Sequence, residues 1–303
     1  MINFTNYDSK NYVYSKFENY SNFLGLIIAV FGIFFNFCSY HTAKFLKQQN
    51  SSITLLKCLA VWDSLAILQD GVINLGGSYF HLNAFNINRF CCKIIHWHSS
   101  GSSATAIYLM TTLAVDRSLA IGVPIWFKQY SNPPGLAYKT CLGIISIMYL
   151  GFGVHLFIND IVNGVCTYTV SQRFMYYFFV IGVIIVFTSI PFVIMCITNV
   201  FFIYKLRIRR SKNDSERHLT KMLLTSSLAF MILMGAASFC AIYSYYATPS
   251  TANDVAFITF IQKCAEIFAI TNSSMNFIFY IVSGPLFKNA FICLVKQTFN
   301  VKF

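Results

Sequence analysis

Seven runs of apolar residues, each about as long as a bilayer is thick, leave this 303-residue chain few folds to choose from. They lie at Asn22–Ala43, Ile53–Tyr79, Phe90–Ile121, Leu136–Ile158, Phe174–Leu206, Leu219–Tyr246 and Val255–Val282. A helix needs roughly 20 apolar residues to cross the hydrocarbon core. Inside lipid only helices and closed barrels satisfy their own backbone, and these runs are too long and too evenly apolar for barrel strands. The expected class is an all-α membrane protein, a seven-transmembrane helix bundle with a short amphipathic helix after it. Composition agrees: 11% of residues are charged and 56% hydrophobic, where soluble chains average about 25% charged.

Basic residues set the expected orientation. With the N-terminus outside, the inner segments hold Lys44, Lys47 and Lys57, then Arg117, Lys128 and Lys139. The third inner segment carries seven basic residues from Lys205 to Lys221, and the tail Lys288, Lys296 and Lys302. That bias is the positive-inside pattern. The net charge of +12 is therefore a topology signal, and no basic soluble face exists to bind nucleic acid. Residues 1–21 are polar, without the apolar core of a signal peptide, so the first helix is expected to direct insertion. The reading divides the chain into an extracellular N-terminus (1–21), a seven-helix domain (22–283) and a cytoplasmic helix with a short tail (284–303), in the plasma membrane. Asn3 and Asn19 head sequons in the outer segment and are the glycosylation candidates. In the tail, Leu286, Phe287, Ala290, Phe291 and Leu294 recur at helical spacing, with Lys288 and Lys296 available to anionic lipid. Cys293 on that helix is a palmitoylation candidate; an unmodified thiol against lipid is the equal alternative.

Ionisable residues within a spanning helix are costly and mark function by default. Asp63 sits mid-run in LAVWDSLAIL, and Asp70 follows seven residues later on the same face. Lys263 and Glu266 lie in the outer part of the seventh run. Asp116 and Arg117 stand side by side at the inner end of the third, where an interfacial anchor that snorkels is the competing reading. No Cys-x-x-Cys pair, His-Glu-x-x-His motif, phosphate loop or Gly-x-Ser-x-Gly elbow occurs. An enzyme is not expected, and no metal is expected beyond a sodium ion. Cys91, Cys92 and Cys166 are the externally placed cysteines, where a disulfide is chemically allowed.

In this order the residues resemble the rhodopsin-like (class A) G-protein-coupled receptors, a likeness that runs from about Asn22 to Phe291. Asn36 stands where helix one carries its Asn, and Leu59–Asp63 matches the Leu-Ala-x-x-Asp of helix two. Asp116-Arg117-Ser118 matches Asp-Arg-Tyr in two of three residues. Pro191 matches the helix-five proline, and Asn276 and Tyr280 occupy the key places of the helix-seven Asn-Pro-x-x-Tyr motif. Cys92 lies 25 residues before Arg117, the spacing at which the family forms its disulfide, here to Cys166. The resemblance implies an extracellular ligand, a heterotrimeric G protein as partner, and an inactive-state lock of Arg117 with Asp116 and with Glu216. It also implies that Asp63, Asn272, Ser273 and Asn276 form a sodium pocket; a water-filled polar network on the same side chains is the alternative.

The departures are specific. Ser118 replaces the Tyr, and Asn199 the helix-five Tyr. Met234 and Ala236 stand where helix six has Trp and Pro, Phe277 where helix seven has Pro, and helix four has no Trp. Ala106 replaces a helix-three Ser of the sodium pocket. Ser99 occupies the amine receptors' Asp position, and Ile270 that of the retinal-binding Lys; amines and retinal are therefore disfavoured. The Asn-Phe variant resembles peptide-type receptors, so a neuropeptide is the expected ligand. The candidate contacts are Asp70, Ser99, Gln262 and Glu266, where two acids would suit a cationic group such as Arg. Pairing of Glu266 with Lys263 is the competing reading. A receptor for a non-peptide small molecule, or a seven-helix transporter, is the alternative function.

Overall fold

The computed structural model describes residues 4–46, 50–131, 133–168, 182, 186, 189–208, 214–247 and 251–299. Its long helices are α1 (Phe4–Phe45), α2 (Ser51–Ile67), α3 (Arg89–Gly122), α4 (Pro134–Gly151), α5 (Ile190–Ile208), α6 (Asp214–Tyr246), α7 (Ala252–Ser283) and α8 (Pro285–Phe299). Between α4 and α5 stands an antiparallel hairpin of β1 (Asn159–Val162) and β2 (Val165–Tyr168). α1 packs on α2, α7 and α8; α3 packs on α2, α4, α5 and α6; α6 packs on α5 and α7.

The bundle is apolar outside and polar within. Phe34 and Phe37 on α1, Leu150 on α4, Val200 on α5 and Ile232 on α6 are all exposed, while Asn36, Asp63, Thr105, Asn199, Ser227 and Asn276 are buried. Such a surface is stable only in lipid, where apolar side chains face their solvent and polar ones must find partners inside. The helical segments Lys16–Phe45, Ser51–Tyr79, Pro134–Ile158 and Lys221–Ser244 are long and apolar enough to cross a membrane, and so is α7 together with α8, bent by 101°. α3 is less apolar because other helices surround it.

Helix boundaries follow local chemistry. Asn50 caps α2 by accepting from the amide of Ile53, and Asn88 caps α3 by accepting from that of Cys91. Thr251 and Asp254 form a reciprocal capping box on α7. α7 ends at Gly284, where a side chain would press on the Tyr280 carbonyl and on Met222, and Pro285 starts α8 in the new direction. Phe287 and Phe291 fasten α8 to Phe277, with ring centroids 6.0 and 5.1 Å away. Phe277 also stacks on Phe35 of α1 at 5.8 Å.

Three features depart from the sequence expectation. α1 begins at Phe4 rather than Asn22, since residues 4–21 contain no Gly or Pro to stop it. α2 continues beyond Ile67 as a π-helical stretch, Leu68–Gly76, and then Gly77–Tyr79. The loop after α4 is a hairpin whose turn residues Asn163 and Gly164 both have positive φ, 54° and 79°, the demand of a two-residue type I′ turn.

Small residues let α1, α2 and α7 approach closely. A methyl group on Gly32 would overlap Ser274 and Ile67, and one on Gly71 would overlap Ala29. Gly143 on α4 has open space around it. Gly32→Leu is expected to destabilise the bundle by about 1–3 kcal/mol through overpacking, read as a lower melting midpoint of the purified protein in detergent, whereas Gly143→Leu leaves that midpoint unchanged or raises it.

Candidate functional site

The polar groups of the bundle form three tiers along its axis. At the hairpin end, Cys92 of α3 and Cys166 of β2 are joined by a disulfide, with Cα atoms 5.6 Å apart. Cys91, one residue away and so about 100° around the helix, is a free thiol. The Cys166 amide donates to Asn86 Oδ1 at 2.8 Å, and Arg89 pairs with Asp160 at 3.1 Å. The hairpin is thereby tied across the top of α3.

Below it lies a cavity of about 40 Å³ between α2, α3, α6 and α7. That is room for roughly two or three waters. Asp63 lines its floor and Asp70 its upper wall, and among the described residues no Lys, Arg or His lines it. Asp70 accepts from Ser99 at 2.6 Å and from Ser103 at 3.2 Å. Asp63 accepts from Asn276 Nδ2 at 2.8 Å. Asn272 and Ser273 complete the lower wall, and Asn36 donates to the Ser273 carbonyl at 3.1 Å. Ala106 contributes no oxygen, but Ser103, one turn away on α3, does.

The ligand candidates divide. Asp70 and Ser99 are bonded to each other; Glu266 pairs with Lys263 at 3.0 Å and does not line the cavity. Gln262 is exposed. Both lie on the cavity-facing stripe of α7, but one and two turns beyond its upper edge, which spacing alone does not reveal. Asp160 of β1 and Asp254 at the start of α7 are engaged in the Arg89 ion pair and the α7 cap.

At the α8 end, Arg117 Nη2 lies 3.4 Å from Asp116 Oδ2, with the side chains only 6% and 7% exposed. Both turn into the bundle rather than snorkel. Asp116 also accepts from Ser51 at 2.8 Å and from Ser52, so the first turn of α2 holds the acid. Tyr280 is buried nearby, its ring 5.5 Å from Phe287. The Glu216 side chain and Asn3 lie outside the described residues. Asn19 is exposed on α1, while Ser21 of its sequon is buried and donates to the Glu18 carbonyl. Cys293 is exposed on α8.

Sequence reasoning passed over the serines that join these groups: Ser51 and Ser52, Ser103, and Ser226 and Ser227. Ser226 donates to Asn276 Oδ1 at 2.9 Å, and Ser227 lies 2.5 Å from Asn199 Oδ1. The available signal was a pair of adjacent serines inside an apolar run.

The family model described as 7 transmembrane receptor (rhodopsin family) matches residues 40–280, about four-fifths of the chain. No curated protein matches it.

Removing a native disulfide costs about 2–5 kcal/mol in a small domain. Cys166→Ser is therefore expected to release the hairpin and lower the amount of receptor at the cell surface severalfold, measured by surface labelling. Cys91→Ser leaves it unchanged, and non-reducing peptide mapping recovers the 92–166 linkage.

Proposed function

Because the chain belongs to the rhodopsin family of seven-transmembrane receptors, we propose that it binds an extracellular peptide bearing a cationic group and activates a heterotrimeric G protein. In this reading the hairpin end faces outward and α8 lies on the inner face of the plasma membrane. The observation that carries the G-protein half is the buried Asp116–Arg117 pair at the α8 end. A guanidinium held at this depth is released for a partner only when the helices around it part. Breaking such a partly desolvated pair costs a few kcal/mol at most, which a ligand's preference for the open state can supply.

The cationic ligand is supported by the charge of the cavity wall. Two carboxylates, Asp63 and Asp70, line it, with no basic residue among the described ones. Glu266, just beyond the upper edge, would be met first by a cation entering from the hairpin end and would exchange Lys263 for it. A non-peptide ligand is the second reading: the cavity has room for roughly two or three waters, so a peptide must part the outer helices to enter.

A sodium ion fits the lower half of the cavity. Asn272 is buried and lines the cavity, and its side chain has no hydrogen bond to a described residue. Asp63, Asn272, Ser273 and Asn276 would hold the ion, with Ser103 supplying the oxygen that Ala106 lacks. Bound there, it would supply a positive charge beside Asp63 and favour the closed arrangement of α2, α3 and α7.

A peptide library applied to cells carrying a promiscuous G protein is the direct test: a response to peptides with Arg or Lys is expected, and a response only to small metabolites selects the second reading. With an agonist in hand, Arg117→Ala is expected to abolish nucleotide exchange at normal surface expression. Glu216→Ala raises basal exchange, and unchanged basal exchange in that variant removes Glu216 from the lock. Asp70→Asn weakens a cationic agonist by at least about thirtyfold, the loss typical of one partner of a buried charge pair.

A further inference from the structure

The inner half of α6 reads LLTSSLAF, with Ser226 and Ser227 in the middle of an apolar stretch. Adjacent residues on a helix point about 100° apart, so two serines in succession face two different neighbours. Ser226 reaches across to α7 and donates to Asn276 Oδ1 at 2.9 Å. Ser227 reaches across to α5, 2.5 Å from Asn199 Oδ1. Its proton is divided between that oxygen and the Leu224 carbonyl at 3.0 Å, the ordinary back-bond of a helical serine. Ser226, Ser227 and Asn199 are each no more than 2% exposed. Asn276 passes the chain on to Asp63 at 2.8 Å. Two hydrogen bonds from adjacent residues thus fix α6 to its neighbours on both sides, and the one through Asn276 leads on to the acid at the cavity floor.

We infer that Ser226 and Ser227 form a two-sided clamp that holds α6 in the closed bundle, and that the cavity governs this clamp through Asn276 and Asp63. The inference rests on the reading of the chain as a receptor that activates by moving α6. Neither serine touches a ligand or a partner; both position α6. The need for such a device is visible in the same helix. α6 runs as one helix from Asp214 to Tyr246, with Ala236 and Met234 offering neither a proline hinge nor a large rigid ring. A helix without a hinge moves as a whole, so what restrains it must lie along its length, where these two bonds are. The clamp also links ligand to movement. Asn276 donates to Asp63 with its nitrogen and accepts from Ser226 with its oxygen, so a cation that draws Asp63 away, or rotates Asn276, loosens the α6 contact in the same event. Outward displacement of α6 breaks both bonds together, and the freed hydroxyls return to helix carbonyls at little cost, which keeps the open state accessible.

A hydrogen bond between membrane helices shifts an equilibrium by about threefold to fivefold, so losing both should shift the open fraction roughly tenfold. The test uses the full-length receptor in nanodiscs, with spectroscopic labels introduced as unnatural amino acids at the exposed positions Lys139 on α4 and Lys221 on α6. In Ser226→Ala/Ser227→Ala, without agonist, the 139–221 distance distribution is expected to gain a longer component. Basal nucleotide exchange on added G protein should rise roughly tenfold. Ser226→Thr/Ser227→Thr, which keeps both hydroxyls, should restore the parent distribution. Thr225→Ala, which removes a hydroxyl that back-bonds to the Lys221 carbonyl of its own helix, should change nothing. If the double variant does not fold, the single Ser226→Ala is read the same way, since it removes the hydroxyl that donates to Asn276. An unchanged distance distribution in well-folded Ala variants overturns the clamp, as does failure of the Thr variant to restore it. A lengthened distance without any nucleotide exchange, in variants and agonist-treated parent alike, upholds the clamp and removes the G-protein reading instead.

Discussion

Lipid offers no hydrogen bonds, and the architecture of this chain follows from that. Every backbone amide must be satisfied within its own helix, which sets the long uninterrupted helices. Every polar side chain must turn inward and find a partner, and this selects which faces meet. Asn36, Asp63, Asn276, Ser226 and Asn199 belong to five different helices, and each is bonded to a group on another one. The polar interior therefore does two things. It specifies the order of helices, which apolar packing in an apolar solvent specifies poorly, and it leaves a bonded network that can be rearranged. Close packing through Gly32 and Gly71 supplies the attraction that the hydrophobic effect cannot supply between helices in lipid.

α3 shows how position in the bundle overrides composition. It carries Lys93, His96, His98, a cluster of serines, Asp116 and Arg117, a load no lipid-facing helix could bear. Yet it touches α2, α4, α5 and α6, and several of its polar groups meet a neighbouring segment: Ser99 and Ser103 the acid beyond α2, Ser100 the imidazole of His155 just after α4 at 3.1 Å, His98 the hydroxyl of Tyr149 at 2.8 Å. The disulfide at one end and the serine-held Asp116 at the other fix this helix along its length. It is the frame against which the others are placed.

The fold was legible in the sequence because the bilayer imposes length and apolarity directly. The run Phe90–Ile121 became Arg89–Gly122, and Val255–Val282 became Ala252–Ser283. Where the bilayer imposes nothing, the reading failed. The outer extension of α1 has no apolar pattern, and only the absence of helix breakers predicts it. The π-helical turn of Leu68–Gly76 reflects close packing against α1 at Gly71 and Gly76, a tertiary constraint with no sequence period. The hairpin turns on Asn163-Gly164, two residues that accept positive φ, a local signal the helix-length reading did not use. At the site, single ionisable residues were legible because an acid in lipid is conspicuous: Asp63, Asp70, Asp116 and Arg117 all lie at polar centres of the bundle. The serines that bond them were not, since a helical serine satisfies itself on its own carbonyl as readily as it reaches a neighbour. Gln262 and Glu266 share a helical stripe with the cavity wall, and only the depth of the cavity excludes them.

The residues that depart from the family pattern make sense as one exchange. Helix six has no proline to bend it and no tryptophan to rock against the cavity; Met234 lines that cavity instead, and an unbranched thioether adapts to its surroundings rather than switching between two seats. Helix seven has Phe277 in place of proline, and that ring stacks on α1 and receives both anchoring rings of α8. The bend that proline would have supplied is moved to Gly284-Pro285, eight residues on. Conformational freedom is thus removed from the middle of α6 and α7. Two long rigid helices remain, held together by a few hydrogen bonds and free to move only as wholes. In such a bundle the threshold for opening is set by bonds between helices rather than by strain within them. Its height is then the sum of a few small terms at Ser226, Ser227 and the Asp116–Arg117 pair, each of which a single substitution can remove.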